Sequence, residues 1–100
     1  MIDKVANVFY SRFVLSIWAK TLASDKITRS LMFKRVDKKF DPRLLFDYLS
    51  EICHELDIPT PVILITHERH FDEFNVVRFR AADFVEAIDF DVLILENSSS

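Results

Sequence analysis

The sequence predicts an α+β fold: a single domain with a mostly antiparallel sheet, elements in the order β-β-α-β-β-β, and one amphipathic helix at about 41–57 packed on one face. Three observations carry that expectation. Half of the 100 residues are apolar, ten of them Phe, which is enough to close one core without a disulfide or metal staple. One stretch repeats its apolar residues at helical spacing, whereas the others alternate with period two or form short apolar runs. The order strand–strand–helix–strand–strand–strand suits one antiparallel sheet with its helix on one face, and the segment Ala81 to Ile88 is short for the crossover of a parallel unit, which runs to at least about 10–12 residues.

The opening stretch reads as a strand. Wound as a helix, its apolar side chains point all round. At period two, Phe9, Phe13, Leu15, Ile17 and Ala19 share a face, with Ser11 against the pattern, and Tyr10, Arg12, Val14, Ser16, Trp18 and Lys20 share the other. Ser24 and Asp25 make a turn, and Lys26 to Val36 alternates again, with Ile27, Leu31 and Phe33 on its apolar face. The helix follows. Asp41 is a good N-cap, Pro42 suits the first helical position, and Leu45, Tyr48, Leu49, Ile52 and Leu56 recur on one side. Phe40, just before the cap, is placed to staple against Leu45 or Phe46. Pro59 and Pro61 forbid continuation past about Asp57.

Beyond the helix, Val62 to Ile65 is a compact apolar run between turn signals and reads as a buried strand. Thr66 to Asn75 is polar and reads as a turn or single helical turn, anchored by Phe71 and Phe74. Val76 to Arg80 sets Val77 and Phe79 against Arg78 and Arg80, and Val92 to Leu95 forms the last strand. Ala81 to Ile88 fits either a short helix or a strand continued through Asp83 and Val85. Taken as a crossover helix, it would make residues 41–96 a parallel unit, but it is short for that role. The domain is expected to span 1–97, with 98–100 as a flexible Ser tail.

Composition removes several functions. The chain has no glycine, so neither a P-loop nor a dinucleotide-binding fingerprint exists, since both need Gly where backbone meets phosphate. Every turn must also be made without the residue that reaches positive φ freely. Cys53 is the one cysteine, which rules out an internal disulfide and a Cys-pair zinc ribbon and fits a reducing, cytoplasmic setting. Val5 to Ala19 is apolar but broken by Arg12, so it suits neither a membrane helix nor a signal peptide, and no membrane association is expected. The net charge of −3 hides an asymmetry: residues 1–50 hold ten Lys or Arg against five Asp, and residues 51–100 hold three Arg against eleven Asp or Glu. Opposed halves attract, within one fold or across a contact between copies.

Four groups of residues carry possible chemistry. His67, His70, Asp72 and Glu73 supply enough ligand types for a divalent metal ion, but the two His are three apart, not the four of a metalloprotease helix, and they share a side only if the segment is helical. Cys53 and His54 are adjacent and so diverge on a helix, and no group is in place to activate the thiol. Asp89 and Asp91 would emerge from one face of a strand, where, with Glu68, Asp72 or Glu73, they make a hard-cation or acid–base cluster; as edge charges they simply solubilise the strand. Lys34, Arg35, Lys38 and Lys39 lie in a basic 26–43 stretch with Phe33 and Phe40 interleaved, the composition of a nucleic-acid contact, although a sequence pI near 5.5 weakens that footprint.

Tyr10, Val14 and Trp18 fall on the nominally polar face of the first strand, where exposed aromatics mark protein contacts. One helix covers one face of a sheet, so this apolar excess points to self-association. The leading expectation is therefore a cytoplasmic, non-enzymatic protein-interaction module acting as a homodimer through Tyr10, Val14 and Trp18, with no catalytic residue and no cofactor. The alternative is a small metal-binding protein or metal-dependent enzyme using His67, His70, Asp72 and Glu73. The second alternative is a weak nucleic-acid binder through Lys34, Arg35, Lys38 and Lys39.

Overall fold

The computed structural model describes residues 13–99; Tyr10 and the beginning of the expected first strand lie outside the described residues. The elements are β1 (Val14–Ala23), β2 (Lys26–Val36), a 3-10 turn at Pro42–Leu44 leading into α1 (Leu45–Leu56), α2 (Ile65–Phe74), β3 (Val76–Arg80), a 3-10 turn at Ala81–Asp83, and β4 (Val92–Asn97). The strands form one antiparallel sheet in the order β2-β1-β4-β3. The fold is α+β with an antiparallel sheet and its main helix packed on one face, as the periodicities indicate.

The expected strand at Val62–Ile65 is not a strand. Val62 spends its N–H on the carbonyl of Asp83 (2.7 Å), outside any sheet ladder, and Ile65 opens a second helix. The polar segment after it is therefore α2, a ten-residue helix, and not a turn. It is held by His67 and Phe71, which are buried; Phe74, the other expected anchor, is 63% exposed. The ambiguous Ala81–Ile88 stretch is one 3-10 turn followed by irregular chain.

Alternation along β1 sends Leu15, Ile17 and Ala19 inward beneath the helices, where they meet Phe33 of β2, Val77 and Phe79 of β3, and Leu93 and Leu95 of β4. From above, α1 contributes Leu45, Tyr48, Leu49, Ile52 and Cys53. Phe40 stands edge-on to Phe71 (5.0 Å between ring centroids) and stacks on Tyr48 (6.1 Å), so it bridges α1, the helix it precedes, and α2. One inward assignment is reversed. β1 and β2 run in register from Val14↔Val36 to Thr21↔Arg29, then shift so that Leu22 faces Ile27 and Thr28 is the extra residue of a bulge. The shift turns Ile27 to the outer face, 53% exposed, away from Leu31 and Phe33. The buried Thr21 hydroxyl meets that of Thr28 at 2.8 Å.

Without glycine, the left-handed positions among the described residues fall to Ser24, Asp25, Asp37, Asp57 and Asn75 (φ 52–64°). Asn and Asp tolerate this region best because their short polar side chains bond locally. Ser24 and Asp25 form the two-residue turn between β1 and β2, where φ is positive at both positions as a primed turn requires. Asp57 ends α1 in a Schellman arrangement, with the Ile58 N–H donating to Cys53 O and the Asp57 N–H to His54 O.

The charge asymmetry is used inside the fold. Lys20 pairs with Glu96 (2.6 Å), Arg29 with Asp89 (3.0 Å) and Arg35 with Glu51 (2.7 Å), each joining a base of the first half to an acid of the second. Ser98 and Ser99 continue beside β1, the Ser98 N–H donating to Ser16 O (2.8 Å) and Ser99 Oγ accepting from the Ser16 N–H (2.9 Å). Among the described residues no helix is long and apolar enough to cross a membrane.

Candidate functional site

Because the sheet period is two, the residues between the core positions of β1 and β2 must face away from the helices. They sort by register into rows. Val14 lies opposite Val36, Ser16 opposite Lys34, Trp18 opposite Met32, and Lys20 opposite Ser30. Apolar rows thus alternate with Ser/Lys rows across the seam of the two strands. Met32 and Val36 are 47% and 55% exposed, and Trp18 is half-buried. The Trp18 ring is fixed on both sides: Nε1 donates to Ser30 Oγ (2.9 Å), and Lys20 Nζ lies 3.6 Å from the ring centroid. This is where the structure places Val14 and Trp18; Tyr10 lies outside the described residues. Met32 and Val36, which complete the rows, are not singled out by sequence, because the Ser24–Asp25 turn alone sets β1 and β2 one residue away from the register that the bulge at Thr28 creates.

The His-rich segment is helical, so His67 and His70 do share a side of α2, three residues apart. His67 has a structural task. Its Nδ1 accepts the N–H of Leu64 (2.9 Å), one of the donors that the start of a helix leaves free. Its ring packs against Phe79 (4.4 Å between centroids), and its Nε2 lies 3.5 Å from Asp83 Oδ2. His70 is exposed and packs on Phe74 (5.7 Å), and Asp72 and Glu73 are exposed. Among the described residues no group of three or more His, Cys, Asp or Glu side chains converges on a point that could hold a metal ion.

Cys53 is buried in the core, and desolvation pushes its thiol up to about 11, against a hydrogen bond with Thr60 that lowers it; this is the reverse of an activated nucleophile. Asp89 and Asp91 lie in the bend before β4 and not on it. Arg29 grips Asp89 with both terminal nitrogens (3.0 and 3.2 Å), which holds that carboxyl below the usual range, and Asp91 Oδ2 accepts the Ser24 N–H (2.8 Å). Both brace the loop against the β1–β2 hairpin and form no cation cluster.

The basic stretch is divided by the sheet. Lys34 faces outward while Arg35 turns to the helix side, over the Phe33 ring (4.2 Å) and paired with Glu51. Lys39 lies near the Phe13 ring (5.6 Å), and Lys38 is in the connection beyond β2. The four residues thus make no single strip.

The sequence reading also passed over the far edge of the sheet. An open groove of about 420 Å³ runs between α2 and β3, with Thr66, His70 and Phe74 on one wall and Val76, Arg78 and Arg80 on the other, and no carboxylate lines it. Sequence puts Arg78 and Arg80 on the polar side of a strand, but their place beside α2 depends on a helix that lacks an apolar stripe. No protein family, curated protein or solved structure matches the chain, so the functional reading rests on its own geometry.

Proposed function

We propose that the protein is a non-enzymatic, cytoplasmic interaction module that pairs with a second copy of itself through the outer face of β1 and β2. The observation that carries this reading is the row pattern. A two-fold axis running along the β1–β2 seam lays β1 of one copy over β2 of the other. Val14 then meets Val36, Trp18 meets Met32, and each Lys row meets a Ser: Lys34 over Ser16 and Lys20 over Ser30. The surface is self-complementary, as an isologous contact must be, and places no lysine of the patch on another. Sheets that stack face to face align their strands within about 30°, which this arrangement allows.

A patch two strands wide and four rows long is smaller than the roughly 800 Å² per partner of a standard interface. The dimer is therefore expected to dissociate on dilution, in keeping with a reversible module. Sedimentation equilibrium over a range of protein concentrations, with native mass spectrometry, tests it. Wild type should show a monomer–dimer equilibrium, and Trp18→Glu and Met32→Glu should each be folded and monomeric throughout. A wild type that stays monomeric at the highest concentration, or a Met32→Glu dimer as tight as wild type, removes the proposal.

A further inference from the structure

The groove beside β3 has features that the β1–β2 patch lacks. β3 lies at the sheet edge, paired on one side with β4. The Asn97 N–H donates to Asn75 O (2.8 Å), which sets the phase of the ladder: Val77 and Phe79 face β4, so Val76 and Arg78 turn their N–H and C=O to the open side. The Arg80 N–H there is taken by Asp83 Oδ2 (2.9 Å). The opposite edge, β2, is broken by the bulge at Thr28 and studded with Lys26 and Lys34, both standard protections against strand addition. β3 has no bulge, and its open side faces a groove.

We propose that the groove between α2 and β3 receives an extended acidic peptide segment of a partner protein, which adds to the sheet as a fifth strand. The backbone of Val76 and Arg78 supplies the ladder bonds, and alternate side chains of the peptide enter the groove against His70 and Phe74 of α2, the usual division of labour in strand addition. The charge selects the partner: His70, Arg78 and Arg80 border the groove and no carboxylate lines it, in a chain of net charge −3. Acidic side chains on the outward phase of the added strand lie across from Arg78 and Arg80, the cross-strand pairing of opposite charge that stabilises neighbouring strands. This site is separate from the self-association surface, and neither requires the other.

The test uses the full ¹⁵N-labelled chain and a capped peptide alternating Glu with Val and Thr. Saturable amide shifts are expected at Val76–Arg80 and at Thr66, His70 and Phe74. N-methylation of alternate peptide amides should weaken binding about tenfold or more in one phase and leave it nearly unchanged in the other, because just one phase faces β3. The double variant Arg78→Glu/Arg80→Glu, both side chains exposed, should keep its thermal midpoint and lose about tenfold or more in affinity. Four results overturn the proposal: no saturable shift, shifts centred on Trp18 and Met32, equal weakening by N-methylation in both phases, or tighter binding at the same residues by single-stranded oligothymidylate. The N-methylation arm uses the wild-type chain, so it decides the matter even if the charge-reversed variant does not fold.

Discussion

The two faces of one sheet are built from the same strands by alternate residues, yet they are finished differently. On the inner face, Ile17, Ala19, Phe79, Leu93 and Leu95 are wholly buried under α1 and α2, and the contacts there are apolar. On the outer face, apolar residues of similar size stand in the open, and order comes from local polar ties: Trp18 to Ser30, Lys20 over the Trp18 ring, and Lys20 to Glu96. Alternation assigns a residue to a face, but it takes a covering layer to make a core. The outer rows have the composition of a buried surface and, among the described residues, no helix or strand above them. That difference is what the proposed dimer explains.

The sharpest way to break the comparison is to truncate the same kind of side chain on each face. Phe79→Ala leaves a cavity beneath His67 and α2 and is expected to cost about 3–5 kcal/mol. Met32→Ala should change monomer stability by no more than about 0.5 kcal/mol. Urea unfolding, at a concentration where the protein is monomeric, measures both. An outer-face truncation as costly as the inner one would mean that the outer rows are already covered within the monomer, and self-association would lose its basis.

A smaller effect separates structural from chemical histidine. His67→Ala removes the acceptor for the Leu64 N–H at the start of α2 and should cost about 1–2 kcal/mol. His67→Asn, whose side-chain oxygen can reach the same N–H, should recover part of the loss, and zinc should not shift the melting temperature of the wild type. A melting temperature raised by stoichiometric zinc in wild type, and not in His67→Ala, would restore the metal reading.

What the sequence made legible follows the strength of its local signals. The helix from Pro42 to Asp57 has a cap, a proline at its first position and five apolar residues in phase, and the β1–β2 hairpin has period-two alternation on both sides of Ser24–Asp25; both stand as expected. Helix α2 has no such stripe. Its two buried residues are His67 and Phe71, too few for a 3.6-residue period, and the apolar run that precedes it, bounded by prolines, reads as a strand. The outward turn of Ile27 is hidden for a different reason: a one-residue bulge at Thr28 reverses the parity of Ile27 relative to Leu31 and Phe33, and no residue type there announces it. The candidate surfaces inherit those gaps, since the rows needed the register and the groove needed α2.

The inner face also predicts a response to alkaline pH. Cys53 holds its proton to about pH 11 in the folded chain, through desolvation, whereas an unfolded thiol ionises near its usual value of about 8.5. The stabilising effect of the neutral thiol is full below the unfolded value. As pH rises towards 11 the unfolded chain releases the proton first, so stability falls across that window, by about 3 kcal/mol. Tyr48, raised by burial as well, acts in the same direction. Cys53→Ala should flatten part of the slope, whatever it does to stability at neutral pH. An unchanged slope would mean that the thiol is solvated.

The smallest expected effect concerns the turn where the two faces are joined. Ser24 and Asp25 both hold positive φ, and their register decides which residues of β1 and β2 face the core. For an L-residue the left-handed region costs roughly 1–2 kcal/mol, less for Asn and nothing for Gly. Replacing the pair by Asn-Gly relieves that strain, while the added freedom of Gly in the unfolded chain takes back about 0.5–1 kcal/mol. The net gain should be about 0.5 kcal/mol, a rise of about 2–4 °C in melting temperature for a domain of this size. The bond from the Ser24 N–H to Asp91 belongs to the backbone and survives the change. Neither face is touched, so the dimer equilibrium should remain that of the wild type. A variant that gains stability but loses dimer would show that the turn adjusts the row alignment of β1 against β2, making the outer surface dependent on two residues that lie at its end.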